Sequence, residues 1–254
     1  LVAAGLAASG YKPFASTFAI FTERAFEQIR NGVARPNLPV HICGSHGGTH
    51  TGTDGGSAQS IEDLAIYRTL PNMTVMHPCD DVSAAELTRQ CLDLTGPSYM
   101  RTARNKTRVL HENRIDDIKI GKGIVLRDGS DVCIIACGVL VDKALEAAEK
   151  LAGAGIDAGV VDMHTLKPLD GDLINRMAAS TGCIVSAEDH SIIGGLGGAI
   201  AEHLSSNHPI PLERVGVKDR FGESGQAEEM LDLLGLNTDD IIEAAHKAIS
   251  RKSK

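Results

Sequence analysis

Two imidazoles and a carboxylate, His46, His50 and Asp54, stand in a 15-residue stretch, residues 43–57, that also holds six glycines. An imidazole can donate or accept and a carboxylate accepts, so the set suits a polar ligand. The stretch follows an apolar run at 38–42 that reads as a buried strand, and it precedes residues that read as a helix. Fifteen residues exceed an ordinary strand-to-helix turn, and loops of this length in a compact domain are functional or disordered. Open α/β sheets bind ligands on such loops, at the carboxyl ends of strands. The residue types alone leave a second reading open. It is a surface loop with solvated histidines, in which Asp54 merely shapes the turn before Gly55 and Gly56.

Other residues with chemical potential lie on either side. Phe18 and Phe21 are three apart at the start of an expected helix and so share a face. Aromatics are 3% of the chain and Trp is absent, which makes Phe14, Phe18, Phe21 and Phe26 a local enrichment. Core packing is the ordinary role of such a stripe. Arg24 follows, with a helix-face contact to Glu27 or Gln28 as its competing role. Arg104 stands on the loop after an expected strand that ends at Arg101, where a guanidinium suits bidentate recognition of phosphate. Arg101, three residues earlier, is left as a candidate whose contact the fold must decide. Glycines 194, 195, 197 and 198 open an expected helix, where they either cradle an anion or permit close strand–helix packing.

These residues need a scaffold, and the hydrophobic pattern supplies one. In the first half strands are expected at 12–17, 38–44, 73–77 and 97–101, with helices at 18–33, 58–70 and 82–94, the last opened by Asp80 and Asp81. Residues 102–122 are charged and aperiodic and read as a linker with one short strand at most. Alternation resumes with strands near 123–127, 131–137, 158–162, 183–187 and 212–217, and helices near 140–153, 170–180, 195–204, 227–234 and 238–250. The fold class is α/β with two domains, each a mostly parallel sheet flanked by helices. The expected boundaries are 1–104, a linker at 105–122, and 123–254. The opening residues read as the last turns of a helix closed by Gly10, so further residues are expected before Leu1.

The chain has 254 residues, 43% hydrophobic, with a net charge of −8. That charge argues against nucleic acid or an anionic membrane surface as the main partner, while local arginines can still hold a small anion. The cysteines, at 43, 79, 91, 133, 137 and 183, lack the short spacing of a zinc knuckle or a redox dithiol. Their usage suits a reducing cytosol, so a cytoplasmic location is expected. No 18-residue apolar span and no signal peptide is evident.

Taken in order, residues 12–30, the loop at 43–57, residues 61–65 and 70–75, and Gly96 to Arg101 resemble the pyrimidine-binding domain of transketolase, the thiamine-diphosphate enzyme. Residues 123–250, with Glu188, Asp189 and His190 ahead of the glycines, resemble that family's C-terminal domain. The resemblance spans essentially the whole chain. It implies that Phe18 and Phe21 form the wall for the aminopyrimidine ring, with Arg24 near the same ring. It implies that His46 and Arg104 bind sugar phosphate, and that Asp54 accepts from a sugar hydroxyl. The family's catalytic glutamate is expected before Leu1. Ala58 stands where relatives carry His or Gln, so a contact there is missing, supplied by Gln59 or His50, or tuned for another sugar. The family's magnesium and diphosphate signature is not found, and no metal ligand is assigned here. The implied protein is the C-terminal subunit of a split transketolase that moves a two-carbon ketol unit between sugar phosphates. It would be active only with an N-terminal subunit that holds most of the thiamine diphosphate and Mg, in a heterotetramer with homodimer contacts. Alternatives are a deoxyxylulose-phosphate synthase-like subunit, a 2-oxoacid dehydrogenase β-like subunit, or a non-catalytic regulatory subunit. Synthases typically carry Asp-Arg where this chain has Ser45 and His46.

Overall fold

Strands joined through helices must pair in parallel, and two five-stranded sheets result in the computed structural model, which describes residues 1–252. The first half contributes α1 (Val2–Ala8), β1 (Phe14–Phe18), α2 (Ala19–Glu23), α3 (Phe26–Ile29), β2 (His41–Ser45), α4 (Asp63–Thr69), β3 (Thr74–Met76), α5 (Asp81–Cys91) and β4 (Ser98–Thr102). The second half contributes β5 (Ile124–Arg127), β6 (Val132–Ala136), α6 (Leu140–Gly153), β7 (Ala158–Asp162), β8 (Thr165–Lys167), α7 (Gly171–Thr181), β9 (Ile184–Ser191), α8 (Leu196–Asn207), β10 (Leu212–Val217), α9 (Ala227–Leu234) and α10 (Thr238–Ser250). The first sheet runs β1-β2-β4-β3-β8 and the second β10-β9-β6-β7-β5. All pairings are parallel except those of the edge strands β8 and β5.

Burial explains the composition of the strands. Every residue of β6 and β7 is buried, which is why they read as unbroken apolar runs and not as alternating ones. Local chemistry sets the helix starts. Asp80 Oδ1 accepts from Ser83 N at 2.8 Å and opens α5, and Asn237 Oδ1 accepts from Asp240 N at 3.0 Å and opens α10.

Two expectations need correction, a third is narrowed, and one strand was not expected at all. The helix expected over 18–33 is broken into α2, α3 and a π-turn at Arg30–Ala34. The helix expected from residue 58 begins only at Asp63, because Ser60 pairs with the loop, its carbonyl accepting from Gly48 N at 2.6 Å. Residues 102–122 form a single turn of 3-10 helix, Ile115–Asp117, and no strand beyond the end of β4. Finally, β8 does not join the sheet of its own half. It adds antiparallel to β3 in the first sheet, and Lys167 Nζ binds the carbonyls of Arg68 and Leu70 at the end of α4.

The register positions the site. Phe18, Ser45 and Thr102 are aligned across β1, β2 and β4, so these three neighbours end in one row. Phe18, His46 and Arg104 leave the sheet from that shared carboxyl edge.

Candidate functional site

At the end of β1, Phe18 and Phe21 stack with centroids 5.4 Å apart and planes 5° apart. Phe21 is 55% exposed, so it is an aromatic face without a cover in this chain. Beside it lies an apolar cavity of about 190 Å³ lined by Ala15, Thr17, Thr22 and Leu1. A flat ring would find both a stacking surface and an apolar berth there, so these residues fit the aminopyrimidine of thiamine diphosphate. Arg24 is exposed on the same turn. One of its two proposed helix-face partners is engaged elsewhere, since Glu27 accepts from Asn31 Nδ2.

His46 occupies the first position after β2 with φ of +59°, a left-handed conformation that costs a non-glycine residue energy. That turn lays its ring on Phe18, centroids 3.8 Å apart and planes 14° apart. Thr51 Oγ1 donates to the His46 carbonyl at 2.6 Å and holds the turn. Burial lowers the imidazole pKa, as does the nearby Arg104 charge, while Asp54 opposes them. His46 is thus held towards its neutral form, with a ring nitrogen available as donor or acceptor.

Asp54 and Arg104 meet at 3.4 Å, both partly exposed. Arg104 Nη1 also donates to Thr51 O and Thr53 Oγ1, each at 3.0 Å. The hydroxyl acceptor and the phosphate donor implied by the resemblance are therefore partners of each other, and not separate actors. His50 turns away from this group. Its N–H donates to Asp189, its Nε2 lies 3.8 Å from Glu228, and its carbonyl accepts from Asn105. Gln59 is buried and its amide donates to Gly52 O and Glu223 O, so neither residue fills the place of a polar side chain at Ala58.

The long loop is not floppy. Residues Thr49–Asp54 wind into 3-10 turns, and Asp189 from the second sheet accepts from Thr49 N, Thr49 Oγ1 and His50 N at 2.6–2.9 Å. A Cβ on Gly48 would stand 2.3 Å from that carboxylate, which is why glycine is required at this φ of +80°. Glu188 accepts from Leu196 N at 2.7 Å and Gly197 N at 2.8 Å, capping α8. Two amides at the start of the helix are thus engaged within the protein by a carboxylate, which favours a packing role for the motif over anion binding.

Arg101 is fully buried. Its Nε donates to Asp63 Oδ2 at 2.9 Å, Nη2 binds Asp63 Oδ1, and Nη1 donates to the Asp189 carbonyl at 2.6 Å. Burial alone would raise the Asp63 carboxyl, but the guanidinium holds it down at about 2. Arg101 is a strut between the sheets and not a ligand group.

One residue escapes any motif. Glu23 closes α2 two residues after Phe21, and Ser60 Oγ donates to its carboxyl. Burial pushes its pKa up to about 7, against the Ser60 hydrogen bond, with Glu62 and Asp63 adding to the rise and Arg101 opposing it. A folded pKa above the unfolded value means that folding takes up a proton between about 4.5 and 7, so stability falls as pH rises through that window. Glu23→Gln removes the titration. We expect it to raise the melting temperature at pH 8 by a few degrees and to leave it unchanged at pH 4. The full shift is discounted to about 1–2 kcal/mol because the group is partly exposed. Equal shifts at both pH values would refute the assignment.

Comparison with known proteins sets this geometry in context. Residues 2–109 match the transketolase pyrimidine binding domain family, and residues 121–241 match the transketolase C-terminal domain family. The chain is 44% identical over 254 residues to the 6-deoxy-6-sulfo-D-fructose transketolase subunit SqwH of Clostridium sp. strain MSTE9, covering 99% of this chain and 78% of that protein. It is 45% identical over 243 residues to a protein of Methanocaldococcus jannaschii named for a transketolase C-terminal section, covering 94% and 76%. Among solved structures, an inactive β4 tetramer of a split-gene transketolase superposes with a TM-score of 0.93 at 45% identity, over 99% of this chain and 81% of that one.

Proposed function

This chain belongs to the transketolase family, as the C-terminal subunit of a split enzyme, and we propose that it transfers ketol groups only when joined by an N-terminal partner chain. The observation that carries the reading is the single row in which β1, β2 and β4 end. Phe18 stands in that row with the exposed Phe21 stacked on it and His46 against its ring, and Arg104 and Asp54 lie within electrostatic reach of His46. Thiamine diphosphate, when bound, supplies the carbanion chemistry that ketol transfer needs. The roles left to this chain are to seat the pyrimidine on Phe18 and Phe21, with Arg24 at its edge, and to orient the sugar. His46 and Arg104 would hold the anionic end of the sugar and Asp54 would accept from a hydroxyl near the reacting carbon.

The partner chain would bring the diphosphate-binding domain and Mg, and cover the apolar surface that Leu1, Val2, Phe14 and Phe21 expose. A heterotetramer with homodimer contacts satisfies this with closed symmetry. The sugar's anionic end is a phosphate in this reading. The SqwH relative is named for a sulfo-sugar, and a sulfonate would meet the same guanidinium with less charge. Six free thiols suit the cytoplasmic location that belongs to the proposal.

Mixing the purified chain with the N-terminal chain tests the reading. Ketol transfer between sugar phosphates should appear only in the mixture, and calorimetry should find tight, magnesium-dependent binding of thiamine diphosphate only there. Tight binding by this chain alone, or a mixture without transferase activity, would overturn it.

A further inference from the structure

Four buried side chains from separate parts of the chain converge where the linker crosses between the sheets. Cys79 and Asp80 precede α5, His111 lies on the linker, and Asp162 ends β7. One donor atom from each of Cys79, Asp80 and His111 lies within 4.8 Å of the other two. His111 Nε2 is 2.9 Å from Asp162 Oδ2, which also accepts from Cys79 Sγ at 3.5 Å. His111 Nδ1, fully buried, has no hydrogen-bond partner and stands 3.9 Å from Asp80 Oδ2. We propose that Cys79, Asp80 and His111 bind a divalent transition-metal ion of the zinc type, with Asp162 as the residue that orients His111.

The donor set selects the ion. A thiolate with an imidazole and a carboxylate favours zinc and its neighbours over magnesium or calcium, which prefer oxygen alone. Metal-bound histidines characteristically give their second ring nitrogen to a carboxylate, which fixes the tautomer and aims the other nitrogen at the metal. His111 has that arrangement, with Asp162 on one side and a bare nitrogen on the other. A buried nitrogen left without a partner is otherwise destabilising. Zinc bonds of about 2.0–2.3 Å place ligand atoms roughly 3–4 Å apart; Asp80 Oδ2 and His111 Nδ1 already stand 3.9 Å apart, and the Cys79 thiol closes the set by turning from Asp162 towards the ion. A cavity of about 410 Å³ bordered by Cys79, Asp80, Thr102 and Asn105 supplies an entry path and room for water as the fourth ligand.

Asp80 Oδ2 already accepts from Leu110 N and His111 N, each at 2.8 Å, so the ion would clamp the linker onto the start of α5. Through Asp162 it would tie that junction to the second sheet. The same cavity is bordered by Ala103 and Asn105, on either side of Arg104. The proposal needs neither the partner chain nor ketol transfer, and it can hold where that reading fails.

The full chain, purified after growth with zinc and dialysed against a weak chelator, should retain about one zinc per chain by plasma mass spectrometry. Cobalt loading should produce visible bands with a thiolate charge-transfer component. Cys79→Ser should abolish that component, and His111→Gln should abolish retention, while His208→Gln changes neither. Asp162→Asn should keep the fold but weaken zinc roughly 10- to 100-fold in competition with a chelating dye. A strong chelator should lower the melting temperature of the wild type and not that of His111→Gln. Retention far below one ion per chain, zinc held equally by Cys79→Ser and His111→Gln, or a cobalt spectrum without the thiolate component would overturn the assignment in favour of a metal-free cluster.

Discussion

Replacing Arg104 with alanine in the reconstituted enzyme should raise KM for a phosphorylated ketose about 10- to 150-fold, the equivalent of a charged hydrogen bond worth roughly 1.5–3 kcal/mol. Unphosphorylated acceptors should remain near wild-type values. The geometry adds a second expectation. Arg104 is steadied by Asp54 and by Thr51 O and Thr53 Oγ1, so its fork is set before a substrate arrives. Asp54→Ala should therefore act twice. It narrows the preference between hydroxyl epimers, and it also weakens phosphate-dependent binding by freeing Arg104. The Arg104/Asp54 double mutant should fall short of the sum of the singles, because the two share one interaction. His46→Ala should share the phosphate-dependent loss. Steady-state kinetics on matched sugars with and without phosphate decide it. Equal losses on both would place these residues elsewhere in the site.

The largest stability effect should come from Asp63→Ala. It leaves the buried Arg101 guanidinium without its carboxylate, and breaking a buried pair on one side costs about 3–5 kcal/mol. In a protein of this size that corresponds to a fall of roughly 6–20 °C in the melting temperature. Replacing both partners, as Asp63→Leu with Arg101→Met, should recover much of the loss, because no charge is then stranded. Calorimetric scanning of the three variants measures this. A single mutant within about 1 kcal/mol of wild type would show that water reaches the guanidinium.

What the residues disclosed beforehand follows from range. Leu140–Gly153, Ala158–Asp162, Leu212–Val217, Ala227–Leu234 and Thr238–Ser250 have the bounds expected of them, since each follows from the local hydrophobic pattern, with capping boxes at the last two helices. Phe18, His46 and Arg104 were candidates because strand ends are legible and the family motif supplied the rest. The missed features all depend on partners far along the chain. The winding of residues 49–54 depends on Asp189, some 140 positions away. Arg101 reads like any strand-end arginine until Asp63 is found beside it. Cys79 and His111 have no motif spacing, and only the fold brings them together with Asp80. Glu23 sits in a helical stretch like any surface acid, and nothing local reveals that Ser60 and burial surround it.

The strand β8 gives the molecule an order of assembly. Its three residues are made after the linker, yet they close the exposed edge of the first sheet at β3. On the ribosome, the first four strands emerge with that edge open, and synthesis at roughly 5–20 residues per second leaves it so for several seconds. An open β-strand edge is a template for pairing with other chains. The first half of this protein is therefore most vulnerable to aggregation while the second is still being translated, and a fragment cut at the linker would keep that vulnerability permanently.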